Sequence, residues 1–214
     1  KAEDVQMYLP FGDLLLEMEQ ETITDYRREL DLETAVAKET YKADGASFVH
    51  STFISAPAQL LVYHIEADRP FTVKLSADGF YLNKKEYRET GFVLCGQLPG
   101  RNGIVVGKPD FEKAVHISNK PEEKGMTYQG WGHIAVEGGT VFADETGILC
   151  SGITELTLCF SARSSFNGMK KHPYLEGVDP AEKLSEDLKA AAQGYDVLLS
   201  EHIADYQKYF SRVS

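Results

Sequence analysis

Apolar and polar positions alternate with a period of two along most of the first 165 residues, then recur every three to four residues to the end of the chain. A period of two places one side of a segment in a core and the other in water, which predicts β-strands; a period near 3.6 predicts helices. Phe71, Val73 and Leu75 point one way, Thr72 and Lys74 the other, and Leu156, Leu158 and Phe160 alternate with Glu155, Thr157 and Cys159. Tyr26, Leu30 and Leu32 fall on one side of a charged segment, and residues 14–18, 34–41, 47–54 and 60–65 are further short apolar or alternating runs. Asp44-Gly45 between two such runs predicts a hairpin, since a type I′ turn needs positive φ. Asp68-Arg69-Pro70 predicts a second turn, and Gly138-Gly139 a third hairpin between 133–136 and 140–142. Many short strands with this punctuation predict an antiparallel sandwich.

The last fifty residues read differently. Gly168, Pro173 and Gly177 mark 166–177 as a linker. Asp179-Pro180-Ala181-Glu182 has an N-cap, proline at the first helical position and an acid three residues on. Leu184, Leu188 and Ala191 make one stripe, and Gly194 suits the end of that helix. A second helix aligns Leu199, Ile203, Tyr206, Phe210 and Val213. That stripe requires cover, from the sandwich or from a partner beyond residue 214. The expected division is a β part over 1–165 and a linker with two helices over 166–214.

Composition narrows the class. The 214 residues hold 43% hydrophobic positions, and 22 basic against 33 acidic residues give a net charge of −11 and a pI near 5.0. Such a chain folds. Without a basic cluster it is not expected to bind nucleic acid, and no apolar run is long enough to predict a membrane span. Cys95, Cys150 and Cys159 are too few and too scattered for a disulfide framework or a zinc site, and read as buried thiols. Together with the absence of an apolar leader, they favour a cytoplasmic setting.

Motifs for phosphate loops, HExxH zinc, CxxC or a Gly-x-Ser-x-Gly elbow are absent. None of the six histidines stands at ligand spacing from another, and His64, inside a strand, reads as a packed side chain rather than a ligand. Acid clusters such as Glu17/Glu19/Glu21 and Glu182/Glu186/Asp187 read as solvated faces. Tyr128 and Trp131 stand among glycines in Tyr-Gln-Gly-Trp-Gly-His. The first reading is core packing beside a β-bulge; the second is a carbohydrate-binding surface, as aromatic rings cover the apolar faces of sugars. Phe80-Tyr81 invites the same two readings.

Several stretches become specific in combination: Tyr8-Leu9-Pro10-Phe11-Gly12-Asp13-Leu14, then Asp25-Tyr26-Arg27-Arg28-Glu29-Leu30-Asp31-Leu32, and His202-Ile203-Ala204-Asp205-Tyr206 running on to Phe210-Ser211-Arg212-Val213. Ser55-Ala56-Pro57 and Ser164-Ser165-Phe166 lie between them in matching order. Over nearly its whole length the chain resembles the N-terminal domain of glycoside hydrolase family 95, the α-L-fucosidase family, itself related to the N-terminal domain of family 65 enzymes. The resemblance implies a mainly β fold, an antiparallel β-supersandwich followed by a C-terminal helical linker. It implies a parent enzyme that removes terminal α-L-fucose, or α-L-galactose in some members, with inversion and without metal or other cofactor. Family members carry an earlier segment with Gly-Asn-Gly-x-x-Gly-Ala and Asn-Glu-Asp-Thr stretches, and a later (α/α)6 barrel holding the catalytic carboxylates; neither stands in these residues. No catalytic residue is therefore carried over, and the partner expected for this part is that barrel, with a fucosylated oligosaccharide as the parent's ligand. Arg101 and Asn102, in the 99–103 loop, are the candidates to reach the rim of the substrate pocket, an ordinary solvated loop being the other reading. Arg163 stands where the family usually has threonine, at no position of known role. The expected function is a non-catalytic scaffold. A freestanding carbohydrate-binding module using Tyr128 and Trp131, or a complete enzyme with an unrecognised acid pair, are the alternatives.

Overall fold

A computed structural model describes residues 9–100 and 117–212. Nine strands, β1 (Asp13–Glu17), β2 (Ile23–Asp31), β3 (Val36–Ala43), β4 (Ala46–Ser55), β5 (Leu60–Asp78), β6 (Leu82–Arg88), β7 (Gly91–Pro99), β8 (Lys124–Asp144) and β9 (Gly147–Ser164), precede helices α1 (Pro180–Ala191) and α2 (Tyr195–Phe210). The strands form one antiparallel sheet in the order β2-β3-β4-β5-β9-β8-β7-β6, with β1 paired to the far half of β5. Asp44 and Gly45 take φ of 52° and 80° and join β3 to β4, the hairpin their sequence predicts.

The other two predicted turns are not turns. Residues 68–70 lie inside β5 and Gly138-Gly139 inside β8. β5 loses register with β9 between Glu66 and Phe71, just past its last pair with β4, Phe48 with Ala67, so Pro70 costs no ladder bond where it stands. β8 loses register at Glu137/Gly138, where the two glycines take φ of 74° and 60°. The residues that close a hairpin also build a bulge, and here they deflect long strands without ending them. On either side of these breaks the halves share one core: Phe48, Ile65 and Leu156 from the near halves cluster with Val73, Leu75, Ile148 and Cys150 from the far halves. The sheet thus folds over on itself as a sandwich.

The outer face of β4, β5 and β9 carries a second core, with Phe53, Leu60, Val62 and Cys159 under Ala191 of α1 and Leu198 of α2. Burial on both faces explains why 60–65 reads as a nearly unbroken apolar run. Asp179 caps α1, accepting from the Ala181 N–H at 2.9 Å, and Leu184 is fully buried beneath it. Cys150 and Cys159 are buried, and burial pushes both thiols up to about 11; Cys95 is only half-buried. No described helix is long and apolar enough to cross a membrane. The two outermost strands are heavily charged, with Arg27, Arg28, Glu29 and Asp31 on β2 and Lys84, Lys85, Glu86 and Arg88 on β6.

Asp187 departs from the solvated reading of its cluster, which holds for Glu182 and Glu186. Its side chain is 10% exposed and receives Arg163 in a fork, Nε at 2.8 Å and Nη2 at 2.9 Å, with Ser161 Oγ donating at 2.8 Å. This clamp ties α1 to β9 and gives Arg163 a structural task. Arg163→Ala leaves a largely buried carboxylate unpaired, and we expect it to lower stability by about 2 kcal/mol. Arg163→Lys should recover less than half of that in urea unfolding, because an ammonium cannot form the fork.

On α2 the innermost residues are Leu198 and His202, one position behind the predicted stripe; Leu199, Ile203, Tyr206 and Phe210 are half-buried, and Val213 lies outside the described residues. An apolar count passes over histidine. Here His202 Nε2–H donates to the Thr34 carbonyl at 3.0 Å, and its ring stacks on Phe53 with centroids 4.7 Å apart, so burial leaves no polar atom stranded there. Tyr206 donates to the Leu32 carbonyl at 3.1 Å, and α2 is therefore folded back on the β3–β4 side of the sandwich.

Candidate functional site

Through 128–133, β8 pairs without a break with β7 on one side and β9 on the other. Tyr128, Gly130 and Gly132 face the core; Gln129, Trp131 and His133 face away. The Tyr128 ring covers its cross-strand partner Gly96, where an added Cβ would stand 2.0 Å from the ring. Its hydroxyl donates to the Phe11 carbonyl at 3.0 Å, and burial pushes the phenol up to about 12. The Phe92 ring covers Gly132 in the same way, and Phe11 and Phe160 cover Gly130. These glycines are seats for aromatic rings, and no bulge adjoins them. Trp131 is half-buried on the opposite face, its Nε1–H donating to Gln129 Oε1 at 3.0 Å. The structure thus separates Tyr128 from Trp131 by the thickness of the sheet. Phe80 is half exposed and Tyr81 buried, while Arg101 and Asn102 lie outside the described residues.

Two of the clefts among the described residues bear on the sequence candidates. One of about 430 Å³ lies between β7–β8 and the linker, with Asn83, Cys95, Gln129 and Tyr174 in its wall. The other, about 1020 Å³, has Met18, Phe48 and Phe71 in its lining, with Glu17, Glu19, Asp44, Arg69 and Lys74 among the polar groups. Asp44 is committed to the backbone N–H groups of Glu21 and Thr22 at 3.2 and 3.3 Å, and Glu17 and Glu19 are exposed. No group of three or more His, Cys, Asp or Glu among the described residues could hold a metal ion.

The most organised polar cluster went unseen in the sequence. It lies on the inner face of β2, β3, β4 and β5. Gln20 Nε2–H donates to Tyr41 Oη at 3.3 Å; Tyr41 Oη meets His50 Nε2 at 3.1 Å; His50 Nδ1 meets Tyr63 Oη at 2.6 Å. The Tyr41 oxygen accepts from the Gln20 amide, and the His50 ring bridges the two phenols, one imidazole nitrogen donating and the other accepting. In register with His50 stands Glu39, and across from Glu39 stands Arg28, whose Nε is 3.4 Å from Glu39 Oε1. The Tyr26 ring lies 6.4 Å from that of Tyr41. A signal existed: the two-residue Asp44-Gly45 turn fixes the pairing of Glu39 with His50 and of Tyr41 with Phe48.

Burial holds the His50 and His64 imidazoles below the ordinary histidine value of 6.5, and it raises the Tyr63 phenol well above its ordinary range. His64 is stacked on Tyr195 with centroids 3.9 Å apart and bonded to Thr157 Oγ1 at 2.9 Å. Because the folded chain binds these protons less readily than the unfolded chain, the stabilisation is full above about pH 6.5 and is lost as acid carries the pH down through the lowered values. The melting temperature is expected to fall from about pH 7 to about pH 5, and less steeply in His64→Phe.

The sequence profile described as glycosyl hydrolase family 65, N-terminal domain, matches residues 1–169. The chain is 28% identical to "Alpha-L-fucosidase 2" of Arabidopsis thaliana over 97% of its own length and 26% of that protein. It is 24% identical to "Probable alpha-fucosidase A" of Aspergillus oryzae over 88% of its length and 25% of that protein. A solved structure from the human microbiome, named as a kojibiose phosphorylase, superposes with a TM-score of 0.57 at 10% identity, over 92% of this chain and 27% of that one, a likeness of fold. The chain spans about a quarter of the length of each of these proteins.

Proposed function

Since the chain belongs to the family of glycosyl hydrolase family 65 N-terminal domains, we propose that it is the non-catalytic N-terminal scaffold of an inverting exo-glycosidase of the α-L-fucosidase type. Its parent would remove terminal α-L-fucose, or α-L-galactose. The observation that carries this reading is the relation to an α-L-fucosidase over 97% of the chain but only 26% of that enzyme. The family 95 motifs agree with the fucosidase names of both curated relatives.

The chemistry supports a supporting role. Inversion needs an acid and a base roughly 6.5–9.5 Å apart, with room for a water between them. Asp187 is spent on Arg163, Asp44 on two backbone N–H groups and Asp179 on the α1 cap. The acids of the larger cleft that remain, Glu17 and Glu19, stand in solvent rather than in a dry pocket. The catalytic (α/α)6 barrel is the partner we assign, and the half-buried Leu199, Ile203, Tyr206 and Phe210 of α2 offer it an apolar stripe.

The test is an assay of the 214-residue chain on an aryl α-L-fucoside, beside the longer polypeptide that contains it. The chain alone should be silent and the longer protein active. Turnover by the chain alone that survives repurification would overturn the scaffold reading.

A further inference from the structure

The inner face of β2–β4 presents chemistry that a scaffold does not need. Tyr26 is 56% exposed, although its ring lies beside the buried Tyr41–His50–Tyr63 chain. Three polar ends converge near it. The half-buried Tyr63 hydroxyl, 2.6 Å from His50 Nδ1, is one of them. The Glu39 side chain, a third exposed, has Oε1 3.4 Å from Arg28 Nε. The Arg28 side chain is 71% exposed.

An exposed aromatic ring beside a donor, an acceptor and a fork of donors matches one ligand class. A pyranose has an apolar C–H face that covers an aromatic ring, and equatorial and axial hydroxyls that each donate and accept. An apolar protein surface laid over the same face would strip water from the Glu39 carboxylate and the Arg28 guanidinium without replacing its hydrogen bonds. Glu39 also disfavours anionic sugars. All four groups stand on paired strands rather than on loops, and the His50 chain holds Tyr63 in place, so little order has to be gained on binding.

We propose that Tyr26, Arg28, Glu39 and Tyr63 form a non-catalytic binding site for a neutral saccharide. The proposal rests on the fucosidase reading only for the choice of sugar. The experiment is an NMR titration of the 214-residue chain with methyl α-L-fucopyranoside and, separately, methyl β-D-galactopyranoside. Saturable shifts are expected at Tyr26, Glu39 and Tyr63 with a millimolar Kd. Tyr26→Ala, at an exposed position, should weaken binding about tenfold, and Tyr63→Phe, which removes one donor, about fivefold. Trp131→Ala, on the other face, should change nothing. The absence of saturable shifts at these residues with both glycosides overturns the site, as does binding unaltered by both tyrosine variants. So does protection of Tyr26 from hydroxyl-radical labelling in the sugar-free longer polypeptide, which would mean that protein covers the face. None of these outcomes touches aryl-fucoside turnover by the longer polypeptide, so the site can fail while the scaffold reading stands.

Discussion

Gly91→Ala is expected to lower the unfolding free energy by about 4 kcal/mol or more, a large share of the roughly 5–15 kcal/mol of an ordinary domain. Gly91 opens β7 opposite His133, with φ of 148°. A Cβ there would stand 2.0 Å from the Gly132 carbonyl oxygen and 2.9 Å from its carbon. Both obstructing atoms are backbone, so no rotamer change can relieve the clash. Relief requires β7 to move off β8, and with it the Phe92 ring seated on Gly132. Gly168→Ala is the control: φ there is 102°, but nothing lies within 4 Å of the added carbon, and only backbone strain of about 1 kcal/mol is expected. Urea unfolding of the two variants should separate steric exclusion from conformational preference. Equal small losses in both would show that β7 yields more easily than its pairing implies.

Leu198→Ala should cost about 3 kcal/mol. Leu198 is fully buried in the cluster with Phe53, Leu60, Val62 and Cys159. The cavity would open between a helix and a sheet, and the helix is the part that can leave. Faster amide exchange confined to α2, with β4 and β5 still protected, is the expected signature of such local release. Leu199→Ala, at a half-buried position, should cost about 1 kcal/mol or less. A reversed order of the two would restore the Leu199 stripe as the docking face and refute the inward placement of Leu198.

That reversal of roles shows where reading the chain by periodicity stops. The strands were legible because alternation survives wherever one face is wet, as at 71–75 and 156–160. The first helix was legible because Asp179-Pro180 is a chemical start signal with few other uses. The deflections in β5 and β8 were not, since glycine and proline pairs serve bulges and turns alike, and only cross-strand pairing decides between them. His202 was missed because its burial depends on a carbonyl 168 positions away. At the candidate site, Tyr128 and Trp131 were grouped by nearness in sequence, although an odd separation on a strand puts two residues on opposite faces. The Tyr26–Glu39–His50–Tyr63 face was half legible: one hairpin turn sets Glu39 against His50, but Tyr63 joins only through the pairing of β4 with β5.

The charged outermost strands have a consequence for the molecule as a material. β2 and β6, the ends of the strand order, each present a rim of unmatched main-chain groups, a template on which another chain could grow. Arg27 with Glu29 on one rim, and Lys84 with Glu86 on the other, set opposite charges along those lines. A second sheet arriving edge-on would have to strip water from both signs before gaining a single new ladder bond, and Asp25, at φ of 53° beside the register break in β2, spoils the straight alignment such growth requires. Both rims therefore resist the edge-to-edge pairing from which fibrils grow.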